Sequence, residues 1–136
     1  MHKDELEAFL MHEFPQVSDE VELVELTGSH VTTRLLISDK HIRPGGTLSG
    51  PAMFMLADVC FYLALLSVIG PKALTVTTSA HTSFMRKPPA TTLLATARRL
   101  KLGKRLAVGD VMLFSEGTCL PVAHASMTYA IPPEKS

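Results

Sequence analysis

Residues 50–69 read Gly-Pro-Ala-Met-Phe-Met-Leu-Ala-Asp-Val-Cys-Phe-Tyr-Leu-Ala-Leu-Leu-Ser-Val-Ile, and no other stretch constrains the fold as strongly. After Gly50 and Pro51 it is almost wholly apolar, and Asp58 is its one carboxylate. Pro51 suits the start of a helix, where a backbone N–H would be unpaired in any case. Gly50 is placed at the cap, because the proline after it drives it into an extended conformation. Gly70-Pro71 ends the helix. The pattern predicts a helix over about residues 51–69, roughly 28 Å long. A helix apolar on every side is either the centre of a domain or a membrane span. A lone span would hold Asp58 near its middle at high cost. The amphipathic strands on either side favour a core helix.

A chain of 136 residues with 46% apolar composition is expected to form one domain over residues 1–136 with an ample core. Its formal net charge is zero, so nothing draws it globally to nucleic acid or a membrane surface. The charges are unevenly placed, however. Residues 1–39 hold nine of the 13 acids. Between Asp58 and Asp110 there is no acid, but there are Lys72, Arg86, Lys87, Arg98, Arg99, Lys101, Lys104 and Arg105. An anionic ligand on that half is one reading, and a solvated sheet face is the other. Two cysteines, Cys60 and Cys119, are too few for a disulfide framework or a metal cluster, so no metal is expected. Asp4, Glu5 and Glu7 break any leader pattern, and a cytoplasmic location is expected.

Leu6, Phe9, Leu10 and Phe14 fall at helical spacing, which predicts an amphipathic helix over about 3–14, ended by Pro15. Residues 20–27 and 30–38 read as two strands about a Gly28-Ser29 turn. In the second, Val31, Thr33, Leu35 and Ile37 share one face, and Thr32, Arg34 and Leu36 the other. Residues 39–49 form a loop in which His41 and Arg43 precede Gly45-Gly46. It is either a plain turn or an anion site at the helix start, where free N–H groups point outward. Four further strands are expected at about 74–86, 91–102, 104–115 and 120–131. The first places Thr75, Thr77, Ser79, His81 and Ser83 on one face. That row either lines a polar cleft or reflects β-propensity alone. Lys101 to Arg105 and Glu116 to Thr118 read as turns, and Gly109 as a bulge. Two strands, a buried helix and four more strands make an α+β fold, with a curved antiparallel sheet wrapped around the long central helix.

Asp58 stands out on that helix. A buried carboxylate is costly unless it is paired or used. It is either structural, in an ion pair with Arg34 or Arg43 or as a cap to some loop, or a catalytic carboxylate in a desolvated cleft.

The element order, with Gly46-Thr47-Leu48-Ser49-Gly50-Pro51 and Asp58 eight residues after Gly50, resembles the hotdog-fold acyl-CoA thioesterases. The similarity covers about residues 40–130 and is greatest to the group named for the phenylacetate-degradation thioesterase PaaI. The usual pattern there is Asn-x-x-Gly-x-x-His-Gly-Gly, followed by Asp, Glu or Asn on the helix. The resemblance implies hydrolysis of an acyl-CoA, with no cofactor beyond the coenzyme A of the substrate. It implies Asp58 as nucleophile or general base, a Gly50 N–H that polarises the thioester carbonyl, and Thr77 as holder of the water. Arg43 stands in place of the Asn, Ser49 of the His and Pro51 of the second Gly. Arg43 and Ser49 remain candidates for substrate contact, and Arg86, Lys87, Lys104 and Arg105 for the coenzyme's phosphates.

Eight residues along one helix is about 12 Å. A reacting carbon must lie about 3 Å from its nucleophile, with its oxygen about 3 Å from the donor. One helix cannot supply both, but two antiparallel copies across a two-fold axis can. A homodimer is therefore expected, and the resemblance extends this to a dimer of dimers. The alternatives are a hotdog protein that binds acyl-CoA without turnover, and an acyl-CoA hydratase or dehydratase. The fold's dehydratases use a His with a carboxylate, and residues 50–69 contain no His.

Overall fold

The computed structural model describes residues 1–133, and the last three residues of the domain expected over 1–136 lie outside the described residues. Helix α1 (Lys3–Glu13) buries Leu6 and Leu10. Pro15 does more than end it. It opens a further short helix, α2 (Pro15–Ser18), whose Val17 is buried, because a helix start is where a missing N–H costs nothing. Strands β1 (Val21–Leu26) and β2 (His30–Leu35) pair as a hairpin. The Thr27 hydroxyl ties their turn by accepting the Ser29 and His30 amides. Val31, Thr33 and Leu35 are buried, as their alternation predicts.

A loop leads to α3 (Gly50–Ile69), and then come β3 (Val76–Phe84), β4 (Leu93–Leu102), β5 (Leu106–Ser115) and β6 (Pro121–Ala130). Each of these strands is slightly shorter than expected, since its outermost residues belong to turns. All neighbours are antiparallel, in the order β1-β2-β4-β5-β6-β3. This is the hotdog arrangement: the sheet curls around α3, which packs chiefly on β2, β4 and β5.

The chemistry of the two faces explains the approach. The inner face of the sheet is lined at its centre by Ala95, Ala97, Ala123, Ala125 and Gly109, all buried. Small side chains there let the bulky surface of α3 come close, and Leu56, Phe61, Leu63, Leu65 and Leu66 are at most 1% exposed. Twelve of the 20 residues of α3 are buried. By length and composition α3 could cross a membrane; here it forms the core.

Two local expectations are corrected. The cap of α3 is Ser49, one residue before Gly50, and its side chain accepts the Ala52 N–H at 3.2 Å. A serine oxygen satisfies a first-turn donor, which glycine cannot do. The bulge expected at Gly109 lies on the facing strand, where the register shifts between Arg99 and Lys101. Gly109 is required for a different reason: a Cβ there would overlap the Phe61 ring and the Arg98 carbonyl.

Gly109→Ala should therefore lower stability by about 1–3 kcal/mol through overpacking, read as a lower urea midpoint at unchanged slope. Ser49→Ala should lose about 1 kcal/mol with the cap, and Ser49→Asp should restore most of it. An unchanged midpoint in Ser49→Ala would show that the cap contributes nothing to α3.

Candidate active site

Asp58 sits midway along α3, half-buried, where the helix passes the β3–β6 end of the sheet. Thr77 Oγ1 donates to its Oδ1 at 2.5 Å, and the Tyr129 hydroxyl donates to the same oxygen at 2.6 Å. Thr77 and Tyr129 are cross-strand partners on β3 and β6, so one pair of facing residues supplies both donors. Asp58 opens into a cleft of about 530 Å³, lined also by Phe14, Tyr62, Ala73, Thr75 and Val76. The ion pair expected under the structural reading of Asp58 does not form. Arg34 bonds to Glu22 and Glu116 at 2.7 and 3.0 Å, and Arg43 lines a different cleft. Among the described residues Asp58 has no ion-pair partner.

Placing Thr77 against Asp58 takes a register shift. The pairing of β3 with β6 slips between Thr77 and Ser79, leaving Thr78 as the extra residue. The expected row of Thr75, Thr77, Ser79, His81 and Ser83 is broken there. Thr77 faces inward with Ala80, Thr82 and Phe84, which pair with the buried Met127, Ala125 and Ala123. Ser79, His81 and Ser83 face outward with Thr128, Ser126 and His124. Simple alternation cannot anticipate a bulge.

The other end of α3 opens into a second cleft of about 460 Å³, lined by Arg43, Thr47, Gly50, Phe84, Arg86 and Lys87 among others. The helix start presents a defined donor. Ser49 takes the Ala52 N–H with its side chain and the Met53 N–H with its carbonyl, and Pro51 has no N–H. The Gly50 N–H is left without a protein acceptor among the described residues. The preceding loop is held by its own bonds. The Arg43 N–H donates to the Thr47 carbonyl, and Gly45 and Gly46 turn with φ of +102° and +82°. Buried His41 anchors it: Nδ1 accepts the Ser38 amide at 3.0 Å, so Nε2 carries the proton it shares with Glu20 at 2.7 Å. Burial pushes the Glu20 carboxyl up, but the bonds from His41 and Lys40 outweigh it and hold the group below its ordinary value. The main-chain oxygen of His41 then accepts the Ser49 N–H at 2.8 Å, fixing the entry to α3.

The basic half divides into separate groups. Arg43, Arg86 and Lys87 share the Gly50 cleft, with Arg86 also donating to the Pro121 carbonyl at 2.5 Å. Lys104 and Arg105 line a different hollow with Lys72, Pro132 and Pro133. Arg98 is engaged with Asp110 at 2.9 Å, and Arg99 bonds the Ala64 and Gly28 carbonyls. Cys60 is wholly enclosed, and burial pushes its thiol up to about 12, so it offers no thiolate. Tyr129 is the site residue that sequence reasoning missed. Its signal was a tyrosine ending the inward row Ala123, Ala125, Met127, since an inward phenol needs a partner.

A carboxylate with two hydroxyl donors, and a bare N–H at a helix start lined by cations, are the parts needed to attack and polarise an acyl group. Comparison with known proteins gives the family. The sequence model of the thioesterase superfamily matches residues 45–122. No curated protein matches the sequence. A solved structure from Silicibacter sp. TM1040, of a protein proposed to be a thioesterase, is 51% identical, covers 98% of this chain and 93% of its own, and superposes with a TM-score of 0.91. Zebra fish thioesterase superfamily member 2 is 20% identical over 97% of this chain and 99% of its own, with a TM-score of 0.84. A mutant of the phenylacetic acid degradation protein PaaI from Thermus thermophilus is 22% identical over 87% and 99%, with a TM-score of 0.72. The last two likenesses show the shared fold. With a family match that spans α3 and more than half of the chain, and a relative identical at half its positions, the chain belongs to the thioesterase superfamily, and thioester hydrolysis is the chemistry this supports.

Proposed function

We propose that the chain hydrolyses an acyl-CoA thioester at two composite sites, each formed between the protomers of a homodimer. The observation that carries this reading is the separation of the two halves. Within one chain the Gly50 N–H and Asp58 open into different clefts, eight residues and roughly 12 Å apart along the helix. An antiparallel copy of α3 brings Gly50 of one chain toward Asp58 of the other. The sheet has an edge suited to such pairing. β3 is hydrogen-bonded on one side only, to β6, and most of its nine residues are exposed. It bears no Asp, Glu, Lys or Arg, the residues that blunt an edge against a second strand.

In the proposed reaction the thioester oxygen lies against the Gly50 N–H and the positive end of the helix dipole, where negative charge develops. Asp58 of the partner chain either takes a proton from water as the water oxygen bonds the carbonyl carbon, or attacks that carbon directly. In the first route collapse of the intermediate breaks the C–S bond, and the coenzyme A thiolate leaves and takes the proton. In the second, the C–S bond breaks as the coenzyme A thiolate leaves, and the acyl group stays on Asp58 as a mixed anhydride. Water then cleaves it to the free acid and the Asp58 carboxylate, and its released proton goes to the thiolate. The phosphates are assigned by charge to Arg43, Arg86 and Lys87, which share the Gly50 cleft. Lys104 and Arg105 are the second assignment, from their separate hollow.

Three measurements test this function. Asp58→Asn should keep the fold and lose at least about 100-fold in kcat toward a panel of acyl-CoA thioesters, read by thiol release. Near-full turnover would sink the role of Asp58. An Arg86→Ala, Lys87→Ala pair should raise KM more than it lowers kcat, and the KM of the parent should rise with salt. If only a Lys104→Ala, Arg105→Ala pair does so, the phosphates lie in the other hollow.

The third is complementation between chains. Asp58→Asn and Gly50→Pro homodimers, each first shown folded and dimeric, should be nearly inactive. A mixed dimer contains one site with an intact Asp58 facing an intact Gly50, and should recover about half of wild-type activity. Mixed dimers as inactive as their parents would show that the two residues do not serve one site from opposite chains.

A further inference from the structure

Two hydroxyls converge on one oxygen of the Asp58 carboxylate. The Tyr129 phenol lies 2.6 Å from Oδ1 and 2.9 Å from the main-chain oxygen of the same residue. Its single hydrogen is therefore shared between the side chain and backbone of Asp58. Thr77 Oγ1 fills the other lone pair of Oδ1, at 2.5 Å. Oδ2 receives no protein donor among the described residues. A carboxylate offers two lone pairs on each oxygen, so the protein saturates one oxygen and leaves the other without a protein donor, on a residue that lines the cleft.

The phenol is held where it is. Tyr129 is 2% exposed, and its ring centroid stands 5.4 Å from that of Phe61 and 6.4 Å from that of Tyr62. Phe61 and Tyr62 belong to the same helix as Asp58, so ring and carboxylate are fixed against one rigid element. Burial, and then the charge of Asp58, push the phenol above its ordinary pKa, so it keeps its proton and serves as a donor.

We propose that Tyr129 is the positioning residue of this site: with Thr77 it occupies Oδ1, fixes the carboxylate rotamer, and makes Oδ2 the oxygen that meets water or the thioester carbon. This rests on reading Asp58 as the catalytic carboxylate. Tyr129 acts through Asp58 and needs no contact with substrate. Its loss therefore affects the chemical step and leaves binding in place. A misplacement of a reacting group by about 1 Å can cost on the order of 100-fold.

Tyr129→Phe keeps the ring and removes the hydroxyl. The expected result is a kcat lower by about 10- to 100-fold with KM within about twofold. The acidic limb of the kcat/KM profile should also move to higher pH, because a charged acceptor loses a donor. The tyrosines are two, Tyr62 and Tyr129, so 3-fluorotyrosine supplied to a Tyr62→Phe chain enters at position 129 alone. That more acidic phenol is a stronger donor in an unchanged ring, and should move the limb to lower pH than in the Tyr62→Phe parent. It keeps the test open even if Tyr129→Phe does not fold.

Asp58→Asn is assayed beside these variants. If it is inactive while Tyr129→Phe matches the parent in kcat and pH profile, the positioning role is overturned and the reading of Asp58 stands. If Asp58→Asn retains activity, the reading itself fails. A Tyr129→Phe protein with raised KM and unchanged kcat would make the phenol a substrate contact. A lowered kcat with an unmoved acidic limb, in both the Phe and fluorotyrosine proteins, would reduce Tyr129 to a packing residue. Each of these two results overturns the proposal.

Discussion

Everything in this molecule depends on how closely an apolar helix approaches the sheet that surrounds it. The approach is set by side-chain volume. Ala95, Ala97, Ala123, Ala125 and Gly109 leave the centre of the sheet shallow, and Phe61 and the leucines of α3 fill it. Gly109 is the tightest point, since even one methyl group there would collide with the Phe61 ring and a β4 carbonyl. Apolar burial is worth roughly 25 cal/mol per Å², and a helix buried over 12 of its 20 residues has few better uses for its surface. Because the helix cannot shift without opening voids, anything mounted on it is held in place.

That rigidity makes Asp58 tolerable. A carboxylate in such a helix needs donors that arrive from elsewhere, and the sheet delivers them as one cross-strand pair, Thr77 and Tyr129. The same helix presents its start differently. Ser49 takes the Ala52 and Met53 donors and Pro51 has none, so the Gly50 N–H is the first-turn donor without an acceptor among the described residues. A buried network of His41, Glu20 and Ser38 then fixes the chain as it enters that start. The protein presents these two groups by different means: side-chain hydroxyls hold Asp58, and the start of the helix offers a bare main-chain group at Gly50.

The central helix was legible in the chain because its signals are local. Pro51, Gly70-Pro71 and an unbroken apolar run mark it, and Asp58 stands out against that background. Strand alternation was legible for β2 for the same reason. Most of the misses are non-local. Tyr129 is 71 positions from Asp58, and only the closed sheet shows that they touch. The Thr78 bulge carries no distinctive residue, so the face assignments beyond it came out reversed. Charge counting grouped basic residues that folding separates: Arg98 is engaged by a carboxylate on its facing strand, Arg99 by two carbonyls, and the others fall into two hollows. The cap was misplaced by one residue because Gly50 and Ser49 both suit it, and only the hydroxyl geometry decides.

The bulge in β3 carries a rule of parity. Thr77 and Phe84 are seven positions apart, an odd number, and in an unbroken strand they would face opposite ways. The inserted Thr78 makes the interval even, so Thr77 reaches Asp58 while Phe84 lies 3.6 Å from where a Gly50 side chain would begin. One residue thus sets the phase between the two ends of the strand. Losing or gaining a single position between them would leave the strand paired yet turn one end away from the helix. Along this edge the chain accepts substitution far more readily than a change of length.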